Sequence, residues 1–449
     1  MPSSLSPNGS TASRRSDRRG ANAPIAILPA QRSDHVGVYC FLNSVFGGPS
    51  QAEFRVSLED PCYQPADRLL AKDEHRIVAH VQMLHRSLRL GTLRLPVAQL
   101  DWLGTAPKLQ GQGLGTRLLR AAESRMVERG ALVGWVRTRS PRFFSRLGWT
   151  VCGRHSRSCG DARRLLGAMI DKGLRPGARH PKLHIRPWLH WELSGLTRLY
   201  EESVGGMVGP FERSRACWRW LARRHAFDQL YVAIDGPDLI DMDERNVRVA
   251  GYAATKGNQV LELVALPSKR RVATMLLARV CYDAIEADRH AILLNAPPHD
   301  RLHKLFRRAG GRSRRGVAED GEVFMARVFQ PLLLLRRMKH LLGEHAAAAG
   351  LPHPAELGFL VGRKQYLLTF AEGRLAVAGR KSSPHTVELH PADFARMLLG
   401  QLNWERALGE GRARPHTAEA ECLARTLFPP IPFWKPPLDD LKREGENPY

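Results

Sequence analysis

Between residues 76 and 84 the chain alternates. Ile77, Ala79, Val81 and Met83 fall on one face, and His80 and Gln82 on the other. A period of two marks a strand with one buried face. The same reading gives strands at 68–70, 88–93 and Val97–Leu103. Thr116 to Arg129 reads as a helix, 131–137 as the strand after it, and Asp34–Phe46 and the stretch after Ser50 as earlier helices. Past residue 183 the rhythm restarts. Helices are expected at 192–202 and 213–225, and strands at 230–234, 247–255 and 260–265. A long amphipathic helix follows from about Val272 to Ala287, then a strand at 291–294. From Pro331 the pattern changes again. A helix at 332–342 precedes strands at 357–361, 366–370, 374–378 and 386–389. Ala371-Glu372-Gly373 turns a hairpin, and a helix runs from His390 to Leu399.

At 449 residues the chain exceeds one core. The expected division is a disordered basic tail at 1–24, a first domain at 25–160, a linker at 161–182, a second domain at 183–330 and a third at 331–449. The tail is rich in Ser, Arg, Asn and Pro and has no apolar stretch, unlike a secretory signal. The formal net charge is +24, which raises the question of nucleic acid. The basic residues are mostly arginine and are spread along the whole chain, with no zinc finger, RNP-type aromatic motif or lysine block, so the composition argues against such a partner. Seven scattered cysteines form no Cys-x-x-Cys and no Cys/His set with zinc spacing. No metal is expected, and reduced thiols in a cytoplasm are. No apolar run approaches the ~20 residues of a membrane span.

The clearest chemical signal lies between the strand 97–103 and the helix that follows it. Gln110-Gly111-Gln112-Gly113-Leu114-Gly115 places glycines at alternate positions before a helix. The backbone N–H groups there are uncovered, and the positive end of the helix reinforces them as a phosphate cradle. A Walker loop would need Gly-Lys-Ser/Thr at its end, and a dinucleotide loop a third glycine where Thr116 or Leu118 stands. Neither pattern fits.

The pattern Gln110-x-x-Gly113-x-Gly115, followed by Leu118, Leu119 and Ala122, resembles the acetyl-CoA loop of the GNAT N-acetyltransferase superfamily. Ser140 to Trp149, with Phe143-Phe144 and Gly148-Trp149, is similar to the superfamily's closing segment. The resemblance implies an α/β (α+β) fold in which the strand before the loop splays from its neighbour. Leu103, Gly104 and Thr105 would then bind the pantetheine arm, and the amides of Gln110, Gly111, Gln112, Gly113, Leu114, Gly115 and Thr116 the pyrophosphate. Lys108 and Arg117 would add charge, or simply be solvated. The second domain repeats the order, but its loop, Pro267 to Val272, has no glycine, so it reads as a degenerate GNAT-like copy with Phe306–Gly311 as its closing segment. The third resembles a sterol-carrier-like domain. Tandem GNAT-like domains followed by such a domain resemble the Eis (enhanced intracellular survival) family. That resemblance implies acetyl transfer from acetyl-CoA to small-molecule or protein amines, and a homo-oligomer, in that family a hexamer.

Direct transfer needs a neutral amine, a polarised thioester and a proton for the leaving thiolate. The superfamily's proton donor is a tyrosine, and Phe144 stands at that position. Ser145, Ser140, Cys152 and His155 are nearby alternatives. In the Eis family the C-terminal carboxylate serves as base, which would be that of Tyr449. The Pro-rich segment 428–434 would dock across the first domain. Asp101, expected to share a strand face with Gln99 and Leu103, is another base, or a surface carboxylate paired with an arginine. Phe144 keeps open a second reading, a CoA- or ligand-binding protein with weak turnover or none. Asp34, Glu53, Glu59 and Asp60 are candidates for an acidic acceptor cleft.

Overall fold

The computed structural model describes residues 25–174, 183–236, 248–316, 321–352, 354–371, 374–381 and 383–439. The expected tail 1–24, residues 372–373 of the expected hairpin turn and Tyr449 lie outside them.

Seven strands open the chain: β1 (Ala26–Pro29), β2 (Arg68–Asp73), β3 (Arg76–Leu90), β4 (Leu93–Thr105), β5 (Val133–Thr138), β6 (Thr150–Gly153) and β7 (His155–Asp161). Among them lie the helices α1 (His35–Phe46), α2 (Gln51–Ser57), α3 (Leu114–Glu128) and α4 (Pro141–Arg146). Ser50 caps α2 in a capping box with Glu53. The two strands expected at 76–84 and 88–93 are largely one, β3, which turns at Gly91 (φ 61°) into β4. Apolar side chains of α3 (Leu118, Leu119, Ala122 and Met126) pack on Val81, Met83, Ala98, Leu100 and Val136. The opposite face of the sheet is covered by Val38, Phe41 and Leu42 of α1.

The middle of the chain supplies β8 (Leu183–Pro187), β9 (Val208–Phe211), β10 (Gln229–Asp235), β11 (Val249–Lys256), β12 (Gln259–Ala265), β13 (Ala291–Asn295), β14 (Arg312–Gly316) and β15 (Val323–Val328). The first sheet runs β1-β2-β3-β4-β5-β15-β6, with β9 added on β3. The second runs β8-β10-β11-β12-β13-β7-β14. The two orders match position for position, and in each the fourth and fifth strands pair in parallel. In both, the sixth strand comes from the other half of the chain. β15 lies between β5 and β6, in register from Val323 opposite Thr138 to Val328 opposite Val133. β7 lies between β13 and β14. A break at residue 160 would assign each of these strands to the sheet it does not join.

Glu322, at the head of β15, marks the exchange. One carboxylate oxygen meets Arg137 Nε of β5 at 3.2 Å, and the other meets His155 Nε2 of β7 at 3.2 Å. Burial by itself would raise the Glu322 pKa. The hydrogen bond from His155 and the Arg137 charge outweigh burial and pull it from 4.5 down to about 2. A depressed carboxylate stabilises the fold above its unfolded pKa, and that contribution is lost as pH falls through the folded one. Glu322→Gln is therefore expected to lower stability at neutral pH by roughly 2 kcal/mol, the linkage being discounted for partial exposure. The difference from the parent should shrink between about pH 4.5 and 2, as followed by urea unfolding at stepped pH. A pH-independent difference would exclude this role.

A third sheet, β16 (Ala355–Val361), β17 (Lys364–Ala371), β18 (Arg374–Gly379), β19 (Thr386–Leu389) and β20 (Ala413–Pro415), runs β18-β17-β16-β19-β20. Its core is continuous with the lower part of the first sheet through Trp135, Phe324 and Phe433. Phe433 stacks on Trp135 with centroids 5.9 Å apart, and a Cβ at Gly153 would lie 2.2 Å from its ring. Val208 N donates to Pro432 O at 2.9 Å, so the Pro-rich segment lies against the first sheet and β9. No helix among the described residues is long and apolar enough to cross a membrane.

Candidate active site

The site begins where β4 leaves β5. Their parallel ladder runs from Val97–Val133 to Leu100–Val136 and ends there, while β4 continues to Thr105. On its other side β4 still pairs with β3, but with a bulge: Asp101 lies opposite Gln82 and Gly104 opposite His80. Trp102 takes the extra position with φ 52°. This extra residue reverses the alternation. Leu103 therefore packs with Ala98 and Leu100 rather than sharing the face of Gln99 and Asp101. Gly104 is needed sterically, because a Cβ there would lie 2.5 Å from the Phe46 ring.

His80, fully buried, holds the bulge. Its Nδ1 is 2.9 Å from Trp102 O, and its Nε2 is 3.0 Å from Arg68 Nη1. A guanidinium only donates, so Nε2 accepts and Nδ1 carries the proton. Burial, reinforced by the Arg68 charge, lowers its pKa to about 3, so the ring is neutral and this tautomer is fixed.

Beyond Thr105 the chain turns through Pro107–Leu109 into the glycine loop. Gly111 and Gly113 have φ of 77° and 79°, which disfavour a side chain. A Cβ on either would meet nothing within 4 Å, so glycine is set there by backbone conformation and the space above the loop is open. Gly113 is the N-cap of α3 and no side chain caps the helix. Among the described residues, the N–H groups from Gly111 to Thr116 have no protein acceptor outside the helix. Gln110 Nε2 donates to Thr105 O at 3.2 Å, fastening the loop to the end of β4. Arg117 donates to Ile25 O at 2.9 Å, and Lys108 is exposed.

On the face of β4 that carries Asp101, a cavity of about 570 Å³ opens between the two halves of the chain. Arg68, Gln82 and Asp101 are neighbours in register across β2, β3 and β4 and line it together, with Arg137 of β5 beside them. The far wall comes from the second half: Phe211, Glu212, Arg213, Cys217 and Trp220. Arg213 is fully buried. It pairs with Glu262, and its Nε donates to Asp439 Oδ1 at 2.7 Å. Asp439 also accepts from Phe211 N at 2.8 Å, which brings the chain's last described residue into the cavity wall.

Of the expected catalytic residues that the structure describes, Asp101 alone lines this cavity. Ser145 is exposed on α4 and does not line it. Phe144 is buried in the core, edge-on to Phe143 and Trp149 at 5.1 and 5.6 Å. Trp149 Nε1 in turn donates to Glu123 of α3 at 2.8 Å. Asp60 is ion-paired with Arg86, and Asp34 with Lys72 at 2.6 Å. The sequence reading missed the roles of Arg68 and His80. The available signal was a strand whose polar face carries His80, Gln82 and, beyond Leu84, Arg86.

The acetyltransferase (GNAT) domain model matches residues 26–152. This stretch carries a GNAT domain. The chain is similar along most of its length to a GCN5-related N-acetyltransferase from Kribbella flavida (16% identity, 91% of this chain and 98% of that one, TM-score 0.66). It is also similar to one from Anabaena variabilis (14%, 90% and 97%, TM-score 0.67) and to an Eis protein from Mycobacterium abscessus (18%, 90% and 97%, TM-score 0.61). At such identities the likeness is one of fold. A search of curated proteins by sequence finds no match. The bulged fourth strand, the open glycine loop and the helix start thus all lie within the GNAT domain.

Proposed function

We propose that the protein is an acetyl-CoA-dependent N-acetyltransferase that moves the acetyl group directly to an amine. The observation that carries this is the row of unopposed N–H groups from Gly111 to Thr116, at a helix start, beside the end of the β4–β5 ladder. Pyrophosphate oxygens would take the loop amides, and the amides of the pantetheine arm the backbone of Leu103, Gly104 and Thr105. The thioester would then lie at the cavity, near Asp101.

The reaction balances with few parts. Asp101 takes a proton from the ammonium or the attacking amine. The nitrogen lone pair adds to the thioester carbonyl, and the tetrahedral adduct collapses with cleavage of the C–S bond. Coenzyme A leaves as thiolate, which its moderate acidity permits, and takes up through solvent the second proton, which the adduct's nitrogen gives up. Holding both reactants in line supplies much of the rate. The carboxylate of Tyr449 would be an alternative base, reached by the chain beyond Asp439. Ser145 as acid would need α4 to reorient.

On this reading the second sheet is a degenerate GNAT-like unit. The loop before its helix Arg270–Glu286 lacks glycine, and Lys269 there is ion-paired with Asp235 at 2.9 Å, leaving one donor site per chain. The third unit is read as sterol-carrier-like and the assembly as a homo-oligomer. A second reading, acetyl-CoA binding without turnover, is favoured by Phe144, which is apolar and buried. Release of free thiol from acetyl-CoA across a panel of amines decides between the two. The transferase reading expects amine-dependent release; saturable acetyl-CoA binding with no release from any amine would favour the second.

A further inference from the structure

Resting on the transferase reading, the cavity also says which amine it would accept. Each of its carboxylates has a partner within the protein, and Asp101 itself accepts from Trp102 N at 3.1 Å. Asp60 pairs with Arg86, Asp439 with Arg213, and Glu212 with Arg94 at 2.6 Å. Glu53 accepts from Ser50 N at 2.7 Å at the start of its own helix. Arginine is in a different position. Arg68 lines the cavity at 1% exposure and makes no ion pair with any described residue. Its Nε donates to Tyr63 Oη at 3.2 Å and its Nη1 to the neutral His80. The rings of Phe54 and Tyr63 lie 5.4 and 5.3 Å from its Cζ. Burial shifts its pKa downward, and Asp101 acts on it through space. A buried guanidinium with only neutral contacts is costly unless a ligand completes it.

We propose that the acceptor is an amine that also carries a carboxylate, with the carboxylate on Arg68 and the amine at Asp101. The two positions are two strand spacings apart through Gln82, about 10 Å between backbones, and both side chains face one cavity, so a small amino-carboxylate spans them. A polycationic amine would meet the Arg68 guanidinium on the same wall.

The test uses the full chain with three acceptors: an amino-carboxylate, its carboxamide and a linear polyamine. Thiol release is expected to favour the carboxylate over its amide by about tenfold in kcat/KM, the size of one charge-assisted pair. Arg68→Gln should abolish this preference mainly through KM, and Arg68→Lys should restore part of it. Equal rates with the amide, or better rates with the polyamine, overturn the inference and leave the transferase reading standing. Calorimetric binding of the same acceptors gives a readout without turnover. Tighter, Arg68-dependent binding of the carboxylate with no thiol release would keep the anion site and overturn the transferase. No difference in binding overturns the anion site.

Discussion

Gly113→Glu is expected to reduce acetyl-CoA affinity by 100-fold or more (~3 kcal/mol or above) while the protein stays folded. Three features of the loop combine. Gly113 has φ 79°, a conformation that costs a residue with a Cβ roughly 1–2 kcal/mol. A Cβ there meets nothing within 4 Å, so the new side chain is accommodated by projecting into the space that the proposed pyrophosphate would take. Its charge repels that phosphate, by about 4 kcal/mol for unit charges 4 Å apart near a surface. A carboxylate beside the start of α3 favours the helix itself, so the loss falls on binding rather than folding. In Gly113→Ala, which lacks the charge, the free loop relaxes from positive φ and must be returned to it on binding, so about a tenfold loss is expected. Calorimetric titration alongside thermal melts separates the two effects. Unchanged affinity in Gly113→Glu would remove the loop from the donor site and take the proposed function with it.

The second large effect concerns the exchanged strands. A chain ending at residue 174 retains β1 to β7 but lacks β15, and is expected not to fold alone. Without β15, β5 and β6 lose the strand between them. The core loses Phe324, Met325 and Ala326, each at or below 2% exposure. Arg327, bonded to Glu123 Oε1 at 2.6 Å, goes too. The two large side chains alone contribute about 1.5–3 kcal/mol each by burial, and the ladder adds to this, against a typical total of about 5–15 kcal/mol. β7 would meanwhile be left without partners. Co-expressed fragments 1–174 and 175–449 should associate and restore both sheets. Circular dichroism and melting of the fragment, and co-purification of the pair, provide the measurements. A cooperatively melting fragment 1–174 would show that the exchange is dispensable.

Much of the chain's local order was legible. The alternation in β3, the apolar stripe of α3, and the helices and strands from 183 to 294 lie close to where the pattern places them. The glycine loop was legible because its reason is local: a positive φ and uncovered amides are written into residue identity. Face assignments failed at two places with clear causes. Ile77 packs with Val38, Phe41 and Leu42 while Ala79, Val81 and Met83 pack under α3, because the β2–β3 register shifts between Ala71 and Lys72 and leaves Val78 as an extra residue. Asp101 and Leu103 are two apart and so predict a shared face, but the bulge at Trp102 separates them. Nothing in the alternation encodes a bulge that a partner strand and a buried histidine impose. Arg68 and Arg213 were likewise unreadable. An arginine on the surface and one at 1% or 2% exposure look the same in a sequence, and only neighbours far along the chain distinguish them.

The sequence by itself determined the element types, the glycine loop and its resemblance to an acetyl-CoA site, since these depend on residues within a few positions of each other. Tertiary structure alone decided which strand lies beside which, that β7 and β15 change places, and that Arg68, Gln82 and Asp101 form one row beneath a cavity closed by residues 211–224 and Asp439. Those outcomes depend on pairing between segments up to hundreds of residues apart. A strand carries the periodicity of its own faces, but its edges are the same N–H and C=O groups in every strand and carry no address.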